Sequence, residues 1–387
     1  MKKLIVLLSA VAALAACSKN EVVPAVSGEN VEISYKVAPR TKADPQAFDT
    51  KNVFASWAYY LPSGKWDANW EVRTNAKEYI SNSEISFNNG VWKNKDISYY
   101  WPKGGSLTFF AYSLNRNNLI LEHNGGHTYP IACHNAADAY GINATIDLNE
   151  NPNLDLLVAD IATDKTQNEV VYSLNGVPTL FKHKLSRIQF AVKKKEEYTG
   201  ATITLNSITF NNVAHAGTYC QYNKVKVKGT DTFTNDYWIT VDKTTPIVYT
   251  TTDFVVKSST NYDPVKETNE THYIYIPQNF EDVEDVTETD KIATIEVKYT
   301  VTFKDGISET YIKTLKVNEI FPRWEVGKRY TFNLSFSLNE INYAPAVGDW
   351  ENVENTNGYE IKNPEKVEKV GDTTIQADDK TTTDEQC

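Results

Sequence analysis

Residues that perform chemistry are scarce in this 387-residue chain, which has six His, four Cys and a single Met. Acid–base, thiolate or metal catalysis needs such groups to converge, and none of their spacings enforces convergence. His123 and His127 stand four apart, but Gly125 and Gly126 between them oppose the helix that would give both imidazoles one face. With Cys133 and His134 nearby, the group reads as polar loop residues rather than a zinc site. Asp147-x-Asn149-x-Asn151 opens like a calcium loop, yet Pro152 stands where that loop needs Gly and Val158 where it needs Glu. A phosphate-cradling glycine loop, a Cys-x-x-Cys pair and a nucleophile elbow are all missing. The chain is therefore expected to be no enzyme and to carry no cofactor and no metal. Positive charge is short as well: 39 Lys and Arg against 50 Asp and Glu give a net charge of -11. Such a surface repels polyphosphates, so nucleic acid is not an expected partner.

What the chain does have is aromatic and β-branched. Its 23 Tyr, 15 Phe and 8 Trp, with recurrent Thr and Val, suit pleated strands better than helices. Hydrophobic residues at 41% and charged residues at 23% are ordinary globular usage. At about 150 residues per domain, the length predicts two domains. Period-two alternation supports an all-β fold. Val53, Ala55, Trp57 and Tyr59 share one face of a strand, with Phe54, Ser56, Ala58 and Tyr60 on the other; Leu107, Phe109 and Ala111 alternate with Thr108, Phe110 and Tyr112. Aromatics on both faces mark these as central strands.

The second half alternates more cleanly. Ile295, Val297, Tyr299, Val301 and Phe303 point one way, and Lys304-Asp305-Gly306 then reads as a hairpin turn into Tyr311 to Val317. Tyr330, Phe332, Leu334, Phe336 and Leu338 are expected in a core, with Thr331, Asn333, Ser335 and Ser337 toward solvent. One wet and one dry face imply antiparallel sheets. Asn135 to Tyr140 could supply a turn of helix, and the polar stretch Thr163 to Gln167 suggests a boundary between domains at 41–167 and 168–350. Residues 351–387 hold ten acidic residues, four Lys and a single aromatic, a composition that reads as a flexible acidic tail.

The front of the chain is a processing signal. Lys2 and Lys3 precede the apolar run Leu4 to Leu8 and a small-residue stretch, so residues 1–16 are expected to be cleaved. Leu14-Ala15-Ala16-Cys17 resembles the bacterial lipobox, in which the cysteine becomes the acylated first residue; Ser18 rather than Asp resembles lipoproteins sent on to the outer membrane. Cys133, Cys220 and Cys387 then remain, and spacing leaves open whether two of them pair or all are free. Val31-Glu32-Ile33-Ser34-Tyr35-Lys36-Val37 alternates as a lone strand, with Val31, Ile33, Tyr35 and Val37 on one face. Among the tryptophans, Trp57 is expected in a core, whereas Trp66 and Trp70 flank a loop and could stack on sugars.

Several strings resemble one family. Tyr100-Trp101-Pro102 followed by Leu107 to Tyr112, Asp155-Leu156-Leu157-Val158-Ala159, Phe181 to Ile188, and Trp324 to Tyr330 leading to Val347-Gly348-Asp349-Trp350 are similar to the fimbrillins, the type V pilin superfamily of Gram-negative anaerobes. The resemblance spans about Tyr35 to Trp350 and implies two transthyretin-like β-sandwich domains. It also implies a mechanism: an exported lipoprotein anchored at Cys17, a propeptide over 17–40 whose strand Val31 to Val37 plugs a sheet, and a cut between Arg40 and Thr41 by an arginine-specific protease. Losing the plug would open an edge for a sister subunit's strand. Implied partners are other pilin subunits, that protease, the outer membrane and a surface receptor. The implied role is a fimbrial subunit serving adhesion. His183, between Phe181 and Leu185, is assigned to packing and hydrogen bonding. One departure stands out: the tail offers only Tyr359-Glu360-Ile361 and Thr373-Thr374-Ile375 as donor strands, which leaves tip, anchor or accessory roles open. The competing expectation is a monomeric surface lipoprotein that binds glycans through Trp66 and Trp70.

Overall fold

A computed structural model describes residues 30–37, 48–67, 70–120, 131–152, 154–170, 175–227, 230–241, 245–250, 253–265, 273–280, 292–350 and 368–370. The signal with Cys17, the Arg40–Thr41 bond, His123, His127, Cys387 and both expected donor segments lie outside them. The described chain is all-β. Its strands begin β1 (Ser34–Val37), β2 (Phe54–Leu61), β3 (Lys77–Asn88), β4 (Val91–Asn94), β5 (Ser106–Ser113), β6 (Ile131–Asn135), β7 (Ala139–Asp147), β8 (Leu157–Ala159), β9 (Ala162–Lys165), β10 (Val177–Thr179) and β11 (Phe181–His183). They continue with β12 (Ser186–Lys194), β13 (Ala201–Asn211), β14 (Ala216–Val227), β15 (Thr230–Val241), β16 (Ile247–Thr250), β17 (Phe254–Val255), β18 (Asp263–Pro264), β19 (Tyr273–Tyr275), β20 (Gln278–Asn279), β21 (Thr294–Phe303), β22 (Ser308–Lys316), β23 (Arg323–Trp324), β24 (Lys328–Phe336), β25 (Ile341–Asp349) and β26 (Glu368–Val370).

The largest sheet runs β10-β1-β4-β3-β2-β5-β8-β11, with β9 also on β5. Its end strands β10 and β11 are separated in the chain by Leu180 alone, so the sheet wraps round on itself. Inside the wrap lie Ile33, Tyr35, Phe54, Trp92, Phe109 and Phe181. The other face of β2 and β5, with Trp57, Tyr59, Phe110 and Tyr112, packs on Ile142, Ala144, Ile146 and Tyr219 of a second sheet ordered β15-β14-β7-β6. Two buried faces explain the aromatics on both sides of β2 and β5. Asn89 and Gly90, both at positive φ, turn β3 into β4.

The second unit pairs β18-β12-β24-β25-β26, with β19 on β12, against β16-β13-β21-β22, with β17 on β13. Between them sit Phe190, Phe210, Tyr275, Tyr299, Trp324, Phe332 and Phe336. Ile295, Val297, Tyr299 and Val301 are all fully buried, and the turn at Lys304 to Gly306 joins β21 to β22 as the alternation requires.

Five expectations need correction. The sheets are not purely antiparallel: β1 runs parallel to β10 and β12 parallel to β24, each joined by long crossings of intervening strands. Thr331, Asn333 and Ser335 do not face solvent; each is buried, with Thr331 accepting from Gln189 Nε2 at 2.6 Å and Ser335 sharing a hydrogen bond with the Tyr262 hydroxyl at 3.1 Å. The stretch Asn135 to Tyr140 is a hairpin between β6 and β7 rather than helix. Finally, strand pairing does not follow a division at 167/168: β10 and β11 complete the first large sheet, and β14 and β15 join β7 of the first unit. The chain enters the second unit with β12 and β13, returns for β14 and β15, and leaves again at β16. Within 351–387, residues 368–370 form β26 on the outer edge of β25, so this piece of the expected tail is a strand.

Candidate functional site

The segment Val31 to Val37 is held on both sides. Along one side Tyr35, Lys36 and Val37 run parallel to Val177, Pro178 and Thr179 of β10; along the other, Ser34 and Tyr35 oppose Lys93 and Trp92 of β4. The ladder extends backward, with the Ile33 amide donating to Tyr99 O at 2.8 Å and the Trp101 amide to Val31 O at 2.9 Å. Alternation sends Ile33 and Tyr35 inward, to 0% and 3% exposure, with Val31 and Val37 packed at the margin of the same cluster. Tyr35 meets Phe54 and Phe109 edge-on, with ring centroids 5.4 and 6.0 Å away. Its neighbours β10 and β4 touch each other only through it in the sheet order, so β1 is the closing stave of the wrap.

Two details of this slot carry no signal in a hydrophobic pattern. The Tyr35 hydroxyl faces Ser56 and Asn94, and burial pushes its phenol above the usual tyrosine range. Asn94 is 5% exposed and Ser56 0%, both on strands whose inward positions are otherwise apolar. Gly176 precedes β10 at φ +125°, and a Cβ there would lie 2.8 Å from Lys36 N and Tyr35 C. Only glycine lets the β1 backbone pass so close. Sequence reasoning missed all three residues; an Asn-Gly pair at 175–176 ahead of a Val is the one cue that pointed to a tight approach.

The tryptophan expected to meet sugars does not reach the surface. Trp66 is fully buried against Phe110 at 5.4 Å, Tyr59 at 5.8 Å and Tyr140 at 6.4 Å, with its amide on Asp164 Oδ1. Its loop folds back over the first core, so the ring has no free face for a sugar. Trp70 opens a short helix, Trp70–Thr74, and its side chain lies outside the described residues. Trp57 packs in the core as read.

The remaining candidates are structural in their contacts. His183 Nδ1 lies 2.6 Å from Asp155 Oδ1, and its ring stacks on Trp350 at 3.9 Å with a 2° interplanar angle. Trp350, at the end of β25, thereby enters the first unit's core, with the Arg187 guanidinium 5.6 Å from its ring centroid. Asp147 Oδ1 accepts from the Asn149 amide at 2.9 Å and lies 3.0 Å from His215 Nδ1. Among the described residues no group of three or more His, Cys, Asp or Glu is arranged to hold a metal. Cys133 opposes Ile142 and Cys220 opposes Asn143 on β7, which puts the two thiols on opposite faces of one sheet, and both are free. Burial raises both thiols above the usual cysteine range.

A family model described as fimbrillin-like matches residues 41–350. Among solved structures, the chain is similar to a fimbrial protein from Bacteroides vulgatus, at 17% identity with a TM-score of 0.59, covering 84% of this chain and 100% of that one. It is similar also to a protein assigned to cell adhesion from Bacteroides uniformis, at 16% identity and TM-score 0.42, covering 83% and 98%. A third is the tip fimbrial protein Mfa3 from Porphyromonas gingivalis with C-terminal truncation, at 8% identity and TM-score 0.32, covering 83% and 98%. No match is found among curated proteins.

Proposed function

Since the chain belongs to the fimbrillin-like family, we propose that it is a fimbrial structural, accessory or tip subunit, exported as a lipoprotein through Cys17 and assembled by strand exchange to serve adhesion. In this reading an arginine-specific protease cuts between Arg40 and Thr41, β1 leaves its slot, and a strand of a sister subunit takes its place. Until the cut, the lipid on Cys17 tethers the subunit to the outer membrane; stable anchoring takes more than one acyl chain. Afterwards the subunit is part of the fimbrium, and a surface receptor is its further partner. The function is architectural, with no catalytic step.

One observation carries the reading: Val31 to Val37 is a two-sided, inward-packed strand that ends directly before the segment holding Arg40, while the family match begins at residue 41. The strand is therefore integral to the sheet yet outside the matched body. Its loss would bare two ladder edges, β10 and β4, together with the apolar sites of Ile33 and Tyr35. Unpaired edges of that kind recruit strands from other chains. The glycan-binding alternative loses Trp66, one of its two expected contacts, to the core.

The test is sequencing of the mature N-terminus on cells, followed by controlled cutting of purified signal-free protein. A chain beginning at Thr41 and ladders that resist denaturant on gels are expected. A mapped cut at Arg40 that leaves only monomer would overturn the assembly reading.

A further inference from the structure

Beneath β1 the floor of the slot is not uniformly apolar. The Tyr35 phenol oxygen, both amide atoms of Asn94 and the Ser56 hydroxyl share one enclosed niche among Phe54, Trp92 and Phe109. Ser56 Oγ makes a long contact, 3.4 Å, to Trp57 O, and the Tyr35 hydroxyl approaches Ser56 and Asn94 without a well-aligned hydrogen bond to either among the described residues. A buried amide without partners keeps its full desolvation cost, and that cost is largest where the surroundings are dry. The residue above the niche therefore matters more than the others in the strand.

Register makes that residue unambiguous. Gly176 lies against the β1 backbone at Tyr35 and Lys36, so a strand entering the slot has one path past it. A slip of one residue would turn Ile33 and Tyr35 outward and their polar neighbours Ser34 and Lys36 into the core. Whatever fills the slot must thus present one side chain to the Ile33 site and one to the niche.

We infer that the slot selects its strand through Asn94 and Ser56: it takes from a sister subunit a strand with an aliphatic residue at the Ile33 position and a long side chain with a hydrogen-bonding tip at the Tyr35 position, and it disfavours an apolar residue of equal size there. The inference rests on the strand-exchange reading and adds its specificity. An apolar tip strips the Asn94 amide of its nearest polar company; a polar tip offers that amide a partner. The occupant seen in the structure obeys the rule with isoleucine at 33 and tyrosine at 35, and leaves the niche under-paired.

The experiment uses the full chain with a sequence-specific protease site inserted in 38–47, so that cutting does not depend on Arg40. After the cut, fluorescent peptides with the sequence of Val31 to Val37 and its Tyr35→Phe form compete for the slot. Wild-type protein is expected to bind the tyrosine peptide at least about fivefold more tightly than the phenylalanine peptide, the cost of leaving the buried Asn94 amide beside a ring edge instead of a hydroxyl. In Asn94→Leu the preference vanishes or inverts; Ser56→Ala gives a milder version and guards against an Asn94 variant that does not fold. Equal binding of both peptides to wild-type protein, or an unchanged preference in both variants, overturns the selection. Failure of every peptide to enter the cut protein overturns the strand-exchange reading itself.

Discussion

The two units of the molecule bury similar aromatic cores but close them differently. In the second, β21 pairs with β13 on one side and β22 on the other over most of its length, and β24 is flanked by β12 over eight residues and by β25 over nine. In the first, the wrap closes through β1, four residues long, attached to the rest by the segment 38–47. The lesson is that one core is sealed by long strands and the other by a short one whose covalent link is separate from its hydrogen bonds. A single cut in 38–47 would therefore leave β1 held by hydrogen bonds and packing alone, whereas the inner strands of the second unit, β12, β13, β21, β24 and β25, are nine to eleven residues long.

The strongest way to break that comparison is to make equal-sized holes in both cores. Phe332 is fully buried between Phe190, Phe210 and Phe321, so Phe332→Ala should cost about 3–5 kcal/mol, read as a fall in the urea midpoint. Tyr35→Ala removes a ring of similar size but should act locally. Amides of β1, β10 and β4 should lose hydrogen-exchange protection while those of β21 and β24 keep theirs. Equal loss of protection in both units from Tyr35→Ala would mean that β1 is no more separable than any core strand.

How far this asymmetry was legible in the sequence depends on locality. Strands β21 and β24 were readable because their core residues follow a strict period of two, and β2 and β5 because aromatics occupy both parities. Val31 to Val37 was readable as a strand for the same reason. Its partners were not: β10 lies about 140 residues further on, and a three-residue Val-Pro-Thr strand gives no periodicity of its own. The same non-locality hid the return of β14 and β15 to the first unit, which misdrew the boundary at 167/168. Trp66 misled because flanking turn residues report the local backbone, not which core the loop folds onto. Thr331, Asn333 and Ser335 misled because polarity was equated with exposure, although Gln189 and Tyr262 supply partners that let Thr331 and Ser335 be buried. Asn94 and Ser56 were passed over for the same reason.

A finer probe of the closing stave is its backbone. Gly176 combines a φ of +125° with a Cβ position 2.8 Å from the β1 main chain, so Gly176→Ala introduces both strain and a clash with atoms that cannot rotate away. The expected cost is about 1–3 kcal/mol, and it should fall on the seating of β1: faster exchange at the Tyr35 and Val37 amides and weaker peptide entry after cutting. Gly306, also at positive φ in the β21–β22 turn but with nothing near its Cβ position, is the control. Gly306→Ala should cost about 1–2 kcal/mol through its positive φ alone and leave β1 untouched. Matching effects on β1 from the two substitutions would remove the argument that close approach, rather than turn strain, is what residue 176 provides.

The smallest effect separates the units by pH. Burial raises the phenols of Tyr35, Tyr59, Tyr112 and Tyr219 in the first unit, and those of Tyr299 and Tyr330 in the second. A phenol whose folded value lies above its unfolded value of about 10 is neutral in both states below that pH, so its contribution is fully present there. As pH rises beyond about 10 the unfolded chain releases the proton while the buried phenol holds it, and stability falls until the folded value is reached. Each such group can withdraw at most about 1.4 kcal/mol per pH unit over that window. The urea midpoint should therefore begin to fall near pH 8.5 to 9, where the unfolded chain ionises Cys133 and Cys220 while their buried thiols stay protonated, and fall more steeply from 10 upward, with the first unit loosening before the second because more of these phenols and both thiols sit in it. Tyr35→Phe should soften the decline above pH 10 by one phenol's share and leave the midpoint below pH 9.5 within about 1 kcal/mol of wild type. A midpoint that stays level to pH 11, or a decline that Tyr35→Phe does not soften, would mean that the niche beneath β1 is reached by water, and with it would go the reason for Asn94 to discriminate between strands.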